Sequence, residues 1–313
     1  MKTHRRSARA ARRLTGTPPT GGPVTANYHY FDGLDINVFA TSEKGELLQA
    51  LVAPTPFFVN LGTTDLGGGL GPLLAAVQGG GLAWFFGVTE GGHLLSQYWA
   101  GMDWSGWQDL GAPDSSLGGL AWALGATNPT YKGAWAFAIT ENARLVLRDV
   151  AASDWQDLGT CEIAGGLGYS VAATCPKEGL VFVVAAAIDG DVVVRSYDGG
   201  QWGDWSDLAH PQGLLIETVS AASGPNPLDL VAVAEDGSVW YTYSADGQSF
   251  AAWQQITNGK VLPGLTVGSC GPQSGYDHQL DVFAISEAGD FLWCWRTAQA
   301  GWSNWSDYGP WQS

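Results

Sequence analysis

One short motif recurs along this chain at nearly constant spacing: an aromatic residue, two intervening residues of which the second is polar, and then an apolar or aromatic residue. Its six copies are Phe58–Leu61, Trp107–Leu110, Trp155–Leu158, Trp205–Leu208, Trp253–Ile256 and Trp305–Tyr308. Successive copies begin 49, 48, 50, 48 and 52 residues apart. A period of this length is typical of a repeated supersecondary unit that buries its apolar surface against its neighbours. The chain is therefore predicted to contain six such units.

An acid-X-Gly turn is a second, independent landmark inside the units. Clear copies are Glu43–Gly45, Glu90–Gly92, Glu235–Gly237 and Glu287–Gly289, with degenerate copies at 141–143 and 188–190. An alternating apolar segment precedes the turn and another follows it, as in Leu280–Ser286 and Phe291–Trp295. Two alternating segments joined by a glycine turn indicate a β-hairpin. Each unit therefore has a hairpin at its centre.

The size of the side chains changes in a fixed order through each unit. A run of small residues precedes the hairpin, for example Val171–Thr174 and Val219–Ser223, and the tryptophan segment follows it. Four strands ordered from small to aromatic suit a β-propeller, whose inner strands crowd a central channel while its outer strands fan apart. We predict an all-β fold, a six-bladed β-propeller with four antiparallel strands per blade, over residues 24–313.

Charge separates the first residues from the rest of the chain. The first 13 residues contain six basic residues and no acid: Lys2, Arg5, Arg6, Arg9, Arg12 and Arg13. We interpret residues 1–23 as a disordered basic leader, which lacks the apolar stretch of a secretory signal. After the first 13 residues, the chain contains 14 − 6 = 8 Lys and Arg residues and 30 Asp and Glu residues. This part therefore has a net charge of about −22. Such a surface repels phosphate backbones, so nucleic acid is not an expected partner.

Other functional classes find little support in the sequence. No uninterrupted apolar stretch of about 18 residues is present, so we expect no membrane span. The cysteines and histidines show no metal-ligand spacing, and we expect no cofactor or metal. A sialidase-like glycosidase stays an alternative because Glu235–Trp240 faintly resembles an Asp-box turn. The arginines that such an enzyme needs are spread over several units, so we do not expect an enzyme.

Comparing the units with one another separates candidate ligand residues from packing residues. The first position of the motif is aromatic in every unit, and these residues are expected to pack in the core. The aromatic three residues earlier is Trp104, Trp202, Phe250 or Trp302 in four units, and Thr55 or Ala152 in the other two. A position that a unit can leave without an aromatic is a better candidate for a sugar-binding face, since sugar C–H groups pack on aromatic rings. Rim aromatics that cover a blade edge are the alternative interpretation.

Four further residues complete the candidate ligand-binding set. Trp240 and Trp293 lie on the third strand of their units, where packing between blades is the alternative role. Arg148 and Arg195 occupy the same position in successive units and could donate to sugar hydroxyl groups. Exposed arginines that balance an acidic surface are the alternative interpretation, and the sequence favours it.

Units five and six resemble a known lectin family. The segments Ser220–Trp240, Leu280–Gly289 and Trp302–Asp307 are similar to the Photorhabdus-type fucose-binding lectins, PLL-like propellers related to tectonins. The resemblance spans about residues 26–309 and implies binding of fucose or O-methylated sugars in clefts between neighbouring blades, without catalysis. The best-known members of that family have seven blades. Six blades and a similar length are shared with the Aleuria-type fungal fucose lectins, to which no motif matches.

The function predicted from these observations is that of a carbohydrate-binding lectin. It would recognise fucosylated or O-methylated glycans through repeated sites between blades, and its partners would be glycans or glycoconjugates. A protein-interaction propeller without a sugar site is the alternative. Glycan binding would suit a secreted protein or one acting at a cell surface, but no signal peptide is seen and the compartment stays open. Whether the chain forms a homo-oligomer also stays open.

Overall fold

A computed structural model describes most of the chain. The described residues are 25–29, 35–42, 45–52, 57–64, 69–79, 82–99, 103–129, 133–211, 213–256, 259–264, 266–268 and 278–310. The predicted leader, residues 1–23, lies outside them, as does Thr55. Between these limits the chain forms 25 strands and one short 3-10 helix, η1 (Ser115–Leu117).

The strands form six antiparallel sheets, which we call blades 1 to 6 in chain order. Blade 1 contains β1 (Thr25–His29), β2 (Asp35–Thr41), β3 (Leu47–Val52) and β4 (Phe57–Gly62). Blade 2 contains β5 (Leu70–Gly79), β6 (Leu82–Thr89), β7 (Leu94–Trp99) and β8 (Gln108–Gly111). Blade 3 contains β9 (Leu120–Thr127), β10 (Trp135–Thr140), β11 (Leu145–Asp149) and β12 (Trp155–Gly159). Blade 4 contains β13 (Leu167–Lys177), β14 (Leu180–Ala187), β15 (Val192–Tyr197) and β16 (Ser206–Asp207). Blade 5 contains β17 (Ile216–Ala222), β18 (Leu228–Ala234), β19 (Val239–Ser244) and β20 (Gln254–Gln255). Blade 6 contains β21 (Thr266–Gly268), β22 (His278–Ile285), β23 (Asp290–Thr297), β24 (Gly301–Trp302) and β25 (Ser306–Pro310).

The blades are arranged as a closed ring. Each blade is built from consecutive strands, and in blade 6 both β24 and β25 pair with β23. The first strand of every blade lies beside the first strand of the next, and β21 of blade 6 lies beside β1 of blade 1. The first strands are therefore the innermost, and the ring closes without exchange of a strand between blades. The prediction of a six-bladed β-propeller with four-stranded blades is confirmed, and blade 6 contains the two-residue strand β24 in addition.

The predicted turns join the second and third strands of the blades. The turn glycines Gly45, Gly92, Gly237 and Gly289 have φ values between 72° and 90°. That left-handed conformation is favourable for glycine and costly for residues with a Cβ. In the degenerate copy of blade 3, Ala143 adopts a φ of 53°, so the backbone keeps the turn even without glycine.

Small residues let the innermost strands of neighbouring blades approach closely. A Cβ on Gly125 of β9 would lie 3.0 Å from the carbonyl oxygen of Val171 on β13. Between β13 and β17, the Ser170 hydroxyl accepts a hydrogen bond from Val219 N at 2.9 Å and donates to Val219 O at 3.3 Å. Ser220 of β17 accepts from Val267 N of β21 at 2.9 Å. The small residues near the channel thus allow direct contacts between backbones.

The apolar core lies between blades, not within one of them. Phe137 of blade 3 and Val193 of blade 4, for example, belong to one buried cluster. Five of the recurring motif aromatics are half-buried against these clusters: Trp107, Trp155, Trp205, Trp253 and Trp305. The side chain of Phe58 is outside the described part. Every described motif aromatic therefore helps to join two blades.

Two further features follow from the described residues. Cys161, Cys175 and Cys294 carry free thiols. In this part of the chain, no helix has the length and apolar character needed to cross a membrane.

Candidate functional site

Grooves between neighbouring blades contain the predicted aromatic residues. Trp104, Trp202, Phe250 and Trp302 follow the third strand of their blades, and each is half-buried. Three of them pack on an aromatic ring of the preceding blade, and the centroid distances are 6.2 Å for Trp104 and Phe39, 5.8 Å for Trp202 and Phe137, and 5.3 Å for Trp302 and Tyr241. These rings combine packing with partial exposure to solvent at the outer part of each groove.

Arg195 lies in the groove between blades 3 and 4. Its guanidinium carbon is 5.3 Å from the ring centroid of Trp202 and 5.4 Å from that of Trp205. It donates to the carbonyl oxygen of Leu158 in blade 3 at 2.9 Å and to that of Gly203 in its own blade at 3.1 Å. Burial lowers the pKa of Arg195. The side chain therefore links two blades through backbone carbonyls.

Arg148 has the same position in the groove between blades 2 and 3. In blade 3, Ala152 stands three residues before the recurring aromatic, where blades 2, 4 and 6 have a tryptophan. Arg148 is only 6% exposed. It donates to the carbonyl oxygens of Leu110, Asp149, Ala152 and Asp154. The donors are Nε and Nη1, so three of the five N–H groups of the guanidinium face these carbonyl oxygens. This arginine fills and closes its groove.

The two predicted third-strand tryptophans are both fixed by a polar partner, and one of them is nearly buried. Trp240 is half-buried, packs in the cluster between blades 4 and 5, and donates from its indole N–H to Ser238 at 2.8 Å. Trp293 is 7% exposed and donates to the Asp281 carboxylate at 2.7 Å. Its ring also stacks on Phe283 and Tyr308. Trp293 thus offers little free surface to a ligand.

The groove between blades 5 and 6 is more polar than those described above. We call it the 5/6 cleft and define it by Asn226, Asp229, Tyr241, Gln279, Arg296 and Trp302. Asp229 is fully buried and accepts hydrogen bonds from Tyr241 Oη at 2.7 Å, from Asn226 Nδ2 at 2.7 Å and from Asn226 N at 3.2 Å. Burial raises the pKa of Asp229, and burial beside this carboxylate raises the pKa of Tyr241. These contacts fix one wall of the cleft.

The opposite wall of the 5/6 cleft comes from blade 6. Arg296 lies with its guanidinium carbon 5.7 Å from the Tyr241 ring centroid, and it donates to Gln279 Oε1 at 2.6 Å. Trp302 packs edge-on against Tyr241 from the same side. Within the described residues, the Trp302 indole N–H is buried without a hydrogen-bond partner. A cation, an amide and an aromatic ring therefore meet at the mouth of this cleft.

Of this group, Trp302 is predicted from the sequence as a ligand residue, whereas Asp229 and Arg296 are not. A signal was nevertheless present. Asp229 and Asp281 interrupt apolar strands eight residues before the turn glycine of their blades. Each accepts a hydrogen bond from the aromatic residue twelve positions later, which is Tyr241 for Asp229 and Trp293 for Asp281. No group of three or more His, Cys, Asp or Glu side chains suited to a metal occurs among the described residues.

The comparisons with known proteins concern the fold alone. No family model matches the chain, and no curated protein is similar to it in sequence. Among solved structures, AofleA from Arthrobotrys oligospora is 12% identical with a TM-score of 0.69, over 92% of this chain and 86% of that one. The fucose-specific lectin from Aleuria aurantia is 14% identical with a TM-score of 0.65, over 94% and 99%. BP39L lectin from Burkholderia pseudomallei is 20% identical with a TM-score of 0.67, over 91% and 83%.

These similarities extend over nearly the whole ring. An Aleuria aurantia lectin structure is described as a six-bladed β-propeller, the same architecture as this chain. The Aleuria-type similarity in blade number and length is thus matched by the fold. The resemblance of units five and six to the Photorhabdus-type lectins stays a prediction.

Proposed function

We propose that this protein is a carbohydrate-binding lectin without catalytic activity, which recognises fucosylated or O-methylated glycans in the clefts between its blades. Its fold supports the proposal because the similar structures are lectins. One is named as fucose-specific, and another, SapL1, is described in complex with α-methyl fucoside. At 12–20% identity a shared fold does not establish a shared ligand. The proposal therefore depends on the residues that line the clefts.

The observation that carries the proposal is the repetition of half-exposed aromatic rings at the edges of interblade grooves. Trp104, Trp202 and Trp302 take this place in blades 2, 4 and 6. Sugars bind where an aromatic face meets directional polar groups, because their C–H groups pack on the ring while their hydroxyl groups form hydrogen bonds. Arg296 and Gln279 beside Trp302 supply such groups. Several clefts on one chain would make binding to a glycan-bearing surface multivalent.

A glycan array that includes fucosylated and O-methylated glycans tests this function. The full chain is compared with a triple variant, Trp104→Leu, Trp202→Leu and Trp302→Leu, which keeps apolar side chains in the grooves. We expect the wild type to bind a narrow set of glycans and the triple variant to lose at least about tenfold in apparent affinity, the multivalent signal amplifying each loss. Circular dichroism and thermal unfolding check that the variant is folded.

A matched triple variant controls for general damage to the grooves. It carries Trp107→Leu, Trp205→Leu and Trp305→Leu, which change the recurring aromatic three residues later in the same blades. We expect these substitutions to lower the stability while the folded fraction keeps its glycan binding. If the folded wild type binds no glycan on the array, the lectin function is wrong and a protein-interaction propeller becomes the better account.

A further inference from the structure

Three arginines reach into interblade grooves, and they differ in what they bind. Arg148 donates to four backbone carbonyl oxygens, and Arg195 donates to two. Both side chains connect the third strand of one blade to the fourth-strand segment of the preceding blade. A donor that is committed to a backbone carbonyl cannot turn to a ligand without giving up that hydrogen bond. The grooves of Arg148 and Arg195 are therefore held together by their arginines.

Arg296 is in a different situation. Within the described part of the chain, its single hydrogen bond goes to the Gln279 side-chain amide, and no backbone carbonyl accepts from it. The guanidinium is half-buried and lies over the Tyr241 ring. With five N–H donors and one of them in use, most of its donor capacity remains for another acceptor. The planar fork of a guanidinium can bind two neighbouring oxygens at once.

The buried carboxylate behind Arg296 is not required for packing. Blades 2, 3 and 4 place Trp84, Trp135 and Phe182 eight residues before the turn, where blade 5 has Asp229. Burying a carboxylate is costly unless hydrogen bonds compensate it, whereas the aromatic residues fill the same place with apolar contacts. Asp229 is compensated by Tyr241 and Asn226, so the 5/6 cleft is a polar site built in place of an apolar one.

We propose that the 5/6 cleft is the highest-affinity sugar site of the molecule, and that Arg296 binds two neighbouring hydroxyl oxygens of a neutral sugar whose C–H face packs on Trp302. This inference rests on the proposed lectin function and assigns unequal affinities to the clefts. A neutral sugar suits the cleft because the net charge of about −22 on the propeller repels anionic glycans. The grooves of Arg148 and Arg195 would bind more weakly, since these arginines commit more of their donors than Arg296 does, and commit them to backbone carbonyls that hold two blades together.

The test compares Arg296→Met with Arg144→Met in the full-length chain. Arg144 pairs with Asp157 of its own blade at the turn end of blade 3, so its removal controls for the loss of one positive charge. Binding is measured on the glycan array and by titration with methyl α-L-fucoside. We expect Arg296→Met to weaken binding by about 10- to 100-fold, as for the loss of charged hydrogen bonds, and Arg144→Met to bind as the wild type does.

A second variant keeps the test decisive if Arg296→Met does not fold. Arg296→Lys retains the charge but loses the planar fork, so we expect an affinity between those of the wild type and the Met variant. Glycan binding by the wild type together with unchanged affinity in folded Arg296→Met or Arg296→Lys overturns the 5/6 assignment and leaves the lectin function intact. Failure of the folded wild type to bind any glycan overturns the lectin function itself.

Discussion

At the scale of single residues, the hydroxyl group of Ser170 joins two blades, since both its hydrogen bonds go to the backbone of Val219. Ser170→Ala would leave a buried N–H and a buried carbonyl oxygen without this partner. We expect the free energy of unfolding to fall by about 1–3 kcal/mol, measured by urea denaturation. Ser206→Ala, at an exposed position of blade 4, should change it by less than about 0.5 kcal/mol. Equal effects of the two substitutions would contradict this role for Ser170.

The sequence identified which single residues repeat but not where their side chains bind. Arg148 and Arg195 were recognised as equivalent positions, 47 residues apart. Their acceptors include carbonyl oxygens 38 and 37 residues earlier in the chain, which no local pattern reveals. The half-burial of Trp104, Trp202 and Trp302 was equally hidden, since it depends on aromatic rings of the preceding blade. Candidate positions could therefore be predicted, while their exposure and partners could not.

At the scale of strands, the close approach of β9 and β13 depends on Gly125. A Cβ there would lie 3.0 Å from Val171 O and 3.1 Å from Ala172 Cα, and both atoms belong to backbone that cannot rotate away. We expect Gly125→Ala to destabilise the protein by about 1–3 kcal/mol, the usual cost of overpacking, measured by thermal and urea unfolding. The control Gly91→Ala places its Cβ 3.6 Å from Thr89 Oγ1 at an exposed turn and should be nearly neutral. A neutral Gly125→Ala would show that the strands can move apart freely.

The strands themselves were well predicted because periodicity and turn chemistry are local. The acid-X-Gly turns fall between the second and third strands of their blades, and the order from small to aromatic residues follows the path from the channel outward. The meaning of Asp229 was not local. Its place in β18 is visible in the sequence, but the role we propose for it in the 5/6 cleft depends on Arg296, which belongs to the next blade.

At the scale of the whole molecule, the grooves can differ in their polar and aromatic residues because each is formed by a different pair of blades. Every groove uses one face from each of two blades, so substitutions in a single blade alter two grooves. Blades 5 and 6 carry Asp229 and Asp281 where blades 2 to 4 carry aromatic residues. Since the blades share a fold and a few motif residues while the rest of their sequences differ, the architecture stays regular while the chemistry of the grooves diverges.

The charge of the ring leads to a prediction about the stability of the entire protein. With 8 basic residues against 30 acidic ones after the first 13 residues, self-repulsion opposes compaction at pH 7. Raising NaCl from about 0.01 M to about 0.1 M shortens the Debye length from about 30 Å to about 10 Å and screens that repulsion. We expect Tm in scanning calorimetry to rise by about 1–2 °C, the shift that about 1 kcal/mol produces when the unfolding entropy is about 2.1 cal/mol/K per residue in a chain of this length. Near the sequence pI of about 4.4 the same salt series should leave Tm almost unchanged, because little net charge remains to be screened. A Tm that does not respond to salt at pH 7, or that responds equally at both pH values, would show that the acidic residues are spaced so that their repulsion does not limit stability.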